Sequence, residues 1–304
     1  MAENNFRALQ SANKGKTYFL LASMGVLTWF VAYAAMTYFG VGTASTMVPM
    51  AVGFALIGVW GSYYGSDKLV LTMTGAKLIT REDAPELFNV IEEVVIASGL
   101  PMPKVAIVED SAPNAFATGR NPEHALIAFT TRMLEVMDRD ELQGVIAHEL
   151  SHVANRDTLV SAVAATTAGA IAILSDFLTR MMFFGGRRER ENQNPLALVV
   201  SLVVLMLAPI AAMLLKSAIS RKREALADAT AVSFTRNPAG LRKALEVLAS
   251  DTTVVRQKSN AVAHIWIESP LDGQTVSKLF STHPPIQERI ATLKAMESLG
   301  PTAN

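Results

Sequence analysis

Four stretches of this chain stay apolar for long enough to cross a lipid bilayer, and elsewhere apolar residues recur at helical or strand spacing. The apolar runs cover residues 18–39, about 46–64, a segment from near 158 up to Asp176, and 195–215. The first carries no charge. Lys14 and Lys16 before it and Ala32-Tyr33-Ala34 within it imitate a signal peptide, but its length and the second run close behind it indicate a retained hairpin. Gly53 and Gly58 in the second run are candidates for close helix contact. Outside the runs, Leu87, Val90, Ile91, Val94 and Val95 predict an amphipathic helix over 83–98, with Asp83 as N-cap and Pro85 in its first turn. Residues 105–108 read as a short strand, and 114–119 and 125–130 flank a turn at 120–124 in the pattern of a hairpin. Residues 131–137 lead into a further helix. Leu142, Val145, Ile146, Leu150 and Val153 show that it is partly buried, and Asp138 and Glu141 offer it a capping box.

This pattern divides the chain into four parts. Residues 1–65 form an N-terminal region with a transmembrane hairpin, and 66–157 the first part of a soluble domain. Residues 158–217 form a second transmembrane or membrane-associated hairpin, and 218–304 complete the soluble domain. The expected class is α+β and mainly helical: a four-span integral membrane protein with a small, mostly antiparallel sheet. Composition agrees. Of 304 residues, 50% are hydrophobic and 18% charged, with a mean hydropathy of +0.29. Soluble domains carry about 25% charged residues. The net charge is zero, which gives no reason to expect a nucleic-acid partner, and the absence of cysteine excludes disulfides and thiol catalysis. Arg7, Lys14, Lys16, Lys68, Lys77, Arg81, Arg156, Lys216, Arg221, Lys222 and Arg223 fall on one side of the runs. Arg180, Arg187, Arg188 and Arg190 fall on the other. The excess predicts that the termini and soluble domain face the cytoplasm.

The chemistry is concentrated at His148-Glu149-Leu150-Ser151-His152. On a helix, residues four apart share one face, so both imidazoles can reach one ion, and Glu149, about 100° around, can reach a water on it. Two nitrogen ligands, an open metal position and a carboxylate base are the requirements of a zinc hydrolase. A third ligand is still needed. The long form of the motif, with Gly at 155 and His at 158, is excluded by Asn155 and Thr158. Asp157 falls about 180° from His148 on a continued helix. Asp176 pairs more simply with Arg180, and Glu189 and Glu191 sit in a charged loop. Glu224 remains, and Asp228 four residues on is suited to accept the N–H of a liganding histidine.

His148-Glu149-Leu150-Ser151-His152 followed by Val153-Ala154-Asn155-Arg156-Asp157, a long apolar insertion, and Ser220-Arg221-Lys222-Arg223-Glu224-Ala225-Leu226-Ala227-Asp228 resembles the HtpX group of membrane zinc metalloproteases. These are gluzincins, distant relatives of the CAAX prenyl endopeptidases, and the resemblance runs over nearly the whole chain. It implies one zinc ion per chain on His148, His152 and Glu224, with Glu149 as general base. It matches Asn114-Ala115-Phe116-Ala117 to the gluzincin substrate-binding edge strand, which accepts peptides through main-chain hydrogen bonds. It gives His283, held by Pro284 and Pro285, as the donor to the developing oxyanion, with Arg289 assisting. His124 and His264 read as surface or structural.

The motif helix runs almost directly into the third apolar run, so the metal is expected close to the lipid surface, within reach of membrane proteins. The resemblance implies proteolysis of misfolded or damaged membrane proteins in a bacterial inner membrane. Unfolded polypeptides, other membrane proteases and the chain itself are the expected partners. Two rival readings stand beside it: a prenyl-protein C-terminal endopeptidase, and a zinc-stabilised membrane scaffold without activity.

Overall fold

The computed structural model describes residues 42–158, 223–251, 266–267 and 285–298, most of 22–37, and positions 19, 203, 208 and 253. Helix α1 covers residues 25–37 and α2 covers Ala44–Thr74. Then follow β1 (Lys77–Ile79), α3 (Pro85–Ser98), β2 (Lys104–Val108), β3 (Ala115–Thr118), β4 (Leu126–Thr130), α4 (Thr131–Val136) and α5 (Arg139–Ala154). Helix α6 covers residues 223–235, α7 is Pro238–Ser250 and α8 is Ile286–Ser298. The described chain is mainly helical with one small sheet.

That sheet has the order β1-β2-β4-β3. β1 and β2 are antiparallel, as are β3 and β4, while β2 and β4 run parallel. The sheet is therefore mixed, although antiparallel pairs outnumber the parallel one. The hairpin expected around 120–124 forms: Ala115 faces Phe129 and Thr118 faces Leu126. A one-turn 3₁₀ helix, Pro122–His124, makes the turn. Strand β4 is buried along its whole length because both faces are covered. Ile127 and Phe129 turn to a core built by Val90, Ile91 and Val94 of α3, Val145, Ile146 and Leu150 of α5, and Leu241 and Leu245 of α7. Leu126 and Ala128 turn the other way, to Val70 of α2, Phe116 and Trp266.

Local signals decide where the helices start. Helix α5 opens on the anticipated capping box: the Glu141 N–H donates to Asp138 Oδ1 and the Asp138 N–H to Glu141 Oε2, both at 2.9 Å. Helix α3 differs from expectation. Its N-cap is Ala84, and the Asp83 carboxylate instead accepts from the Thr80 N–H and hydroxyl, closing the turn before the helix. Pro85 then fills the first helical position, where no N–H is needed. Helices α5 and α7 touch backbone to backbone. A Cβ on Gly144 would stand 2.5 Å from the Leu241 nitrogen, and one on Gly240 would stand 2.5 Å from the Asp140 carbonyl oxygen. Those two glycines are what let α7 lie against the motif helix.

Helices α1 and α2 pack through Ala32, Met36 and Ala51. Gly53, expected at a close helix contact, faces open space, and a Cβ on Gly58 would reach no nearer than 3.9 Å to Thr28, an ordinary contact. Among the described residues no helix is long and apolar enough to cross a membrane. In α2 the apolar run gives way to Gly61-Ser62-Tyr63-Tyr64-Gly65-Ser66-Asp67-Lys68 while the helix continues to Thr74. The runs at 158–176 and 195–215, with Asp176, Arg180, Glu189 and Glu191, lie outside the described residues apart from Thr158, Val203 and Ala208. His264 and His283 also lie outside them.

Candidate metal centre

Helix α5 carries His148 and His152 on one face, one turn apart, with ring centroids 4.8 Å from each other. Helix α6 lies opposite and brings Glu224 between them. His148 Nε2 is 3.5 Å from Glu224 Oε2, and His152 Nε2 is 3.6 Å from Glu224 Oε1. One donor atom from each of these three residues lies within 4.8 Å of the others. His148, Glu149 and Glu224 are buried, and His152 is the partly open side of the group. Two imidazole nitrogens and a carboxylate oxygen converging in a buried pocket suit a divalent cation of the zinc type. Three protein ligands leave one tetrahedral position for water or substrate. The donor set fits.

The other nitrogen of each ring is also met by a carboxylate. His148 Nδ1 lies 2.9 Å from Asp228 Oδ1, one turn along α6 from Glu224 and as the i, i+4 spacing anticipated. Arg289 of α8 holds Asp228 in a two-pronged grip, Nε to Oδ2 at 2.9 Å and Nη2 to Oδ1 at 2.8 Å, and its Nη1 is 3.7 Å from Glu224. Four charged groups thus meet in a buried space. Burial and the Arg289 charge oppose protonation of His148, but its bonds to Asp228 and Glu224 outweigh them and raise its pKa to about 9 without metal. Burial also opposes the Asp228 charge, yet Arg289 and His148 hold its carboxyl well below the usual range. Arg289 is raised against its own burial by Asp228, Glu224 and Glu149.

Asp157 is where a linear reading of the helix goes wrong. Helix α5 ends at Ala154, and Arg156 adopts the left-handed conformation with φ 61° before helical geometry resumes. That kink resets the angular count, and Asp157 Oδ2 arrives 3.6 Å from His152 Nδ1. Its Oδ1 is 3.5 Å from Arg223 Nη1. Neither Asp157 nor Arg223 stands out as a site residue in the sequence, because arginine is no helix breaker.

Of the Asn114-Ala115-Phe116-Ala117 segment, the last three residues lie in β3, the last strand of the sheet, packed against α5, and Asn114 directly precedes it. All four residues are buried. The Asn114 side chain accepts from the Ala115 N–H, and its main chain is tied to Thr130. The outer edge of β3 is met by the chain itself: Phe116 and Trp266 form an antiparallel bridge, and the Ile267 N–H donates to the Ala115 carbonyl at 2.9 Å. The aromatic, β-branched run Ile265-Trp266-Ile267 was the available sequence signal for that partner. His124 is at the surface, bonded to Asn121 and Arg120.

A family model for peptidase family M48 matches residues 81–297, which takes in the motif helix, Glu224, Asp228 and Arg289. The chain belongs to peptidase family M48. It is similar to the protease HtpX homolog of Dictyoglomus turgidum, 41% identical over 291 residues, covering 96% of this chain and 94% of that protein. The protease HtpX homolog of Syntrophobacter fumaroxidans is 44% identical over 284 residues, 92% of this chain and 98% of the relative. Among solved structures, the crystal structure of S. mikatae Ste24p resembles it with a TM-score of 0.49 at 19% identity, over 94% of this chain and 66% of that one. As an M48 peptidase the chain is a metalloprotease, and the His148, His152 and Glu224 cluster is the metal-holding group that its described residues offer.

Proposed function

We propose that this M48 peptidase is a zinc-dependent endopeptidase that works at a membrane and hydrolyses membrane-bound or unfolded polypeptides. The observation that carries the reading is the meeting of one donor atom each from His148, His152 and Glu224 within 4.8 Å, with Glu149 one residue from the first of them. Zinc bound there would polarise the scissile carbonyl and make its water acidic enough to ionise near neutral pH. Glu149 accepts the water's proton and hands it to the departing amine. Asp228, accepting from His148 Nδ1, would favour the tautomer that leaves Nε2 free to hold the metal, and Arg289 holds Asp228 in place. His283 is assigned the donor role toward the developing oxyanion, and Arg289 assists from within the charged cluster.

Membrane contact is supported by α2. Phe54, Leu56, Ile57, Trp60 and Tyr64 are exposed, and Ile57 is 71% accessible on a chain of zero net charge. The lysine and arginine distribution supports a cytoplasmic active site, and the relatives' protease names support a proteolytic role. Substitution separates base from ligand. Glu149→Gln keeps its zinc and loses cleavage by about 100-fold or more, whereas Glu224→Ala loses the zinc. Normal cleavage by Glu149→Gln, or full zinc occupancy in Glu224→Ala, overturns these assignments.

A further inference from the structure

We infer that Asp157 is the positioning residue for His152, held in place by Arg223, and that each metal histidine is thereby backed by its own carboxylate–arginine pair. This rests on the metal-centre reading above. The two histidines present Nε2 to the two oxygens of Glu224, and each turns Nδ1 to a different acid. For His148 that acid is Asp228, gripped by Arg289. For His152 it is Asp157, whose Oδ1 faces Arg223 Nη1 at 3.5 Å while the same guanidinium nitrogen is 3.4 Å from the Asp157 carbonyl.

Asp157 is 3% exposed, and its Oδ2 is buried without a hydrogen-bond partner among the described residues. A buried carboxylate oxygen needs a donor. His152 Nδ1, at 3.6 Å, is the ring nitrogen facing it, and a shift of a few tenths of an ångström as the ring takes up its metal bond would bring the pair to hydrogen-bond distance. The backbone is arranged to allow it. Arg156 carries the cost of a left-handed conformation, on the order of 1 kcal/mol, and without that turn the helix would carry Asp157 away from His152. Arg223 directly precedes Glu224, so the segment that supplies the third ligand also anchors the acid behind the second.

An ordinary salt bridge joining the end of α5 to α6 would stabilise the chain and leave the metal alone. The test therefore reads the metal. In the full-length protein, zinc affinity by chelator competition is expected to fall about 10-fold in Asp157→Asn, which retains an acceptor without its charge, and toward 100-fold in Asp157→Ala. Arg223→Gln should weaken affinity in the same direction by less, and cobalt-substituted Asp157→Asn should show displaced d–d bands. Unchanged affinity and an unchanged cobalt spectrum in Asp157→Asn overturn the inference even if its melting temperature drops. Should both Asp157 variants fail to fold, Arg223→Gln decides, and wild-type affinity there overturns it. Failure of the parent reading looks different: wild-type protein that binds no zinc, or a His152→Ala variant that binds it as tightly as wild type.

Discussion

Before zinc can bind His148, a proton must leave it, and the surroundings that orient this ring also hold that proton. With its pKa raised from about 6.5 to about 9 in the folded, metal-free chain, His148 contributes stability that is fully present below pH 6.5. That contribution fades as pH rises through 9. Chelator-treated protein is therefore expected to melt at progressively lower temperature from pH 6.5 to 9, and the increment restored by zinc should grow over the same interval. A flat metal-free melting profile would contradict the pairing of His148 with Asp228. Arg289 is the counterweight in this cluster, buried between Asp228 and Glu224. Removing its charge in Arg289→Leu strands two acids in the interior. Urea unfolding should register a loss of about 3–5 kcal/mol, the usual result of breaking a buried pair from one side.

Elements hold these side chains in register. Helix α5 has Ile146 and Leu150 packed under the sheet and its histidines turned to α6, so the apolar face fixes the rotation of the ligand face. Its approach to α7 is set by Gly144 and Gly240. Gly144→Ala inserts a methyl where the Leu241 backbone already stands. Even though alanine is the better helix former, the variant should lose about 1–3 kcal/mol in urea unfolding, the cost of overpacking, and bind zinc more weakly because His148 lies one turn further along. Alanine at Gly61, whose added Cβ meets nothing within 4 Å, should cost nothing comparable. These elements were readable in the sequence to different degrees. The Asp138–Glu141 capping box and the β3–β4 hairpin were plain because each is specified by residues close together. The parallel pairing of β2 with β4 was hidden, since it joins segments that only the crossover through β3 brings side by side.

At the scale of the molecule, the residues proposed to hold the metal come from two segments far apart in the chain, so metal binding there would tie α5 to α6. Zinc at 100 times its dissociation constant should add about 2.7 kcal/mol to stability, and differential scanning calorimetry with and without chelator measures it. The exposed apolar flank of α2 predicts attachment to uncharged phospholipid vesicles that survives high salt, because the chain has no net charge to be screened. Serine in place of Phe54, Ile57 and Trp60 together should release it. Release of the unmodified chain by salt alone would show that charge, not apolar contact, holds it to lipid.

The sequence by itself determined the chemistry. Helical periodicity puts residues four apart on one face, so His148 and His152 were legible as a metal-holding pair with Glu149 beside them, while Glu224 and Asp228 were candidates reached by elimination and by family resemblance, and only packing brought them opposite the histidines. Two further features belonged to tertiary structure alone. One is the left-handed turn at Arg156, a single backbone dihedral that no side-chain pattern announces, which brings Asp157 behind His152. The other is the outer edge of β3, where Trp266 and Ile267 return from far along the chain to meet it. Spacing in sequence governs angles within one unbroken helix or strand. Once the chain kinks or doubles back, packing decides which groups meet.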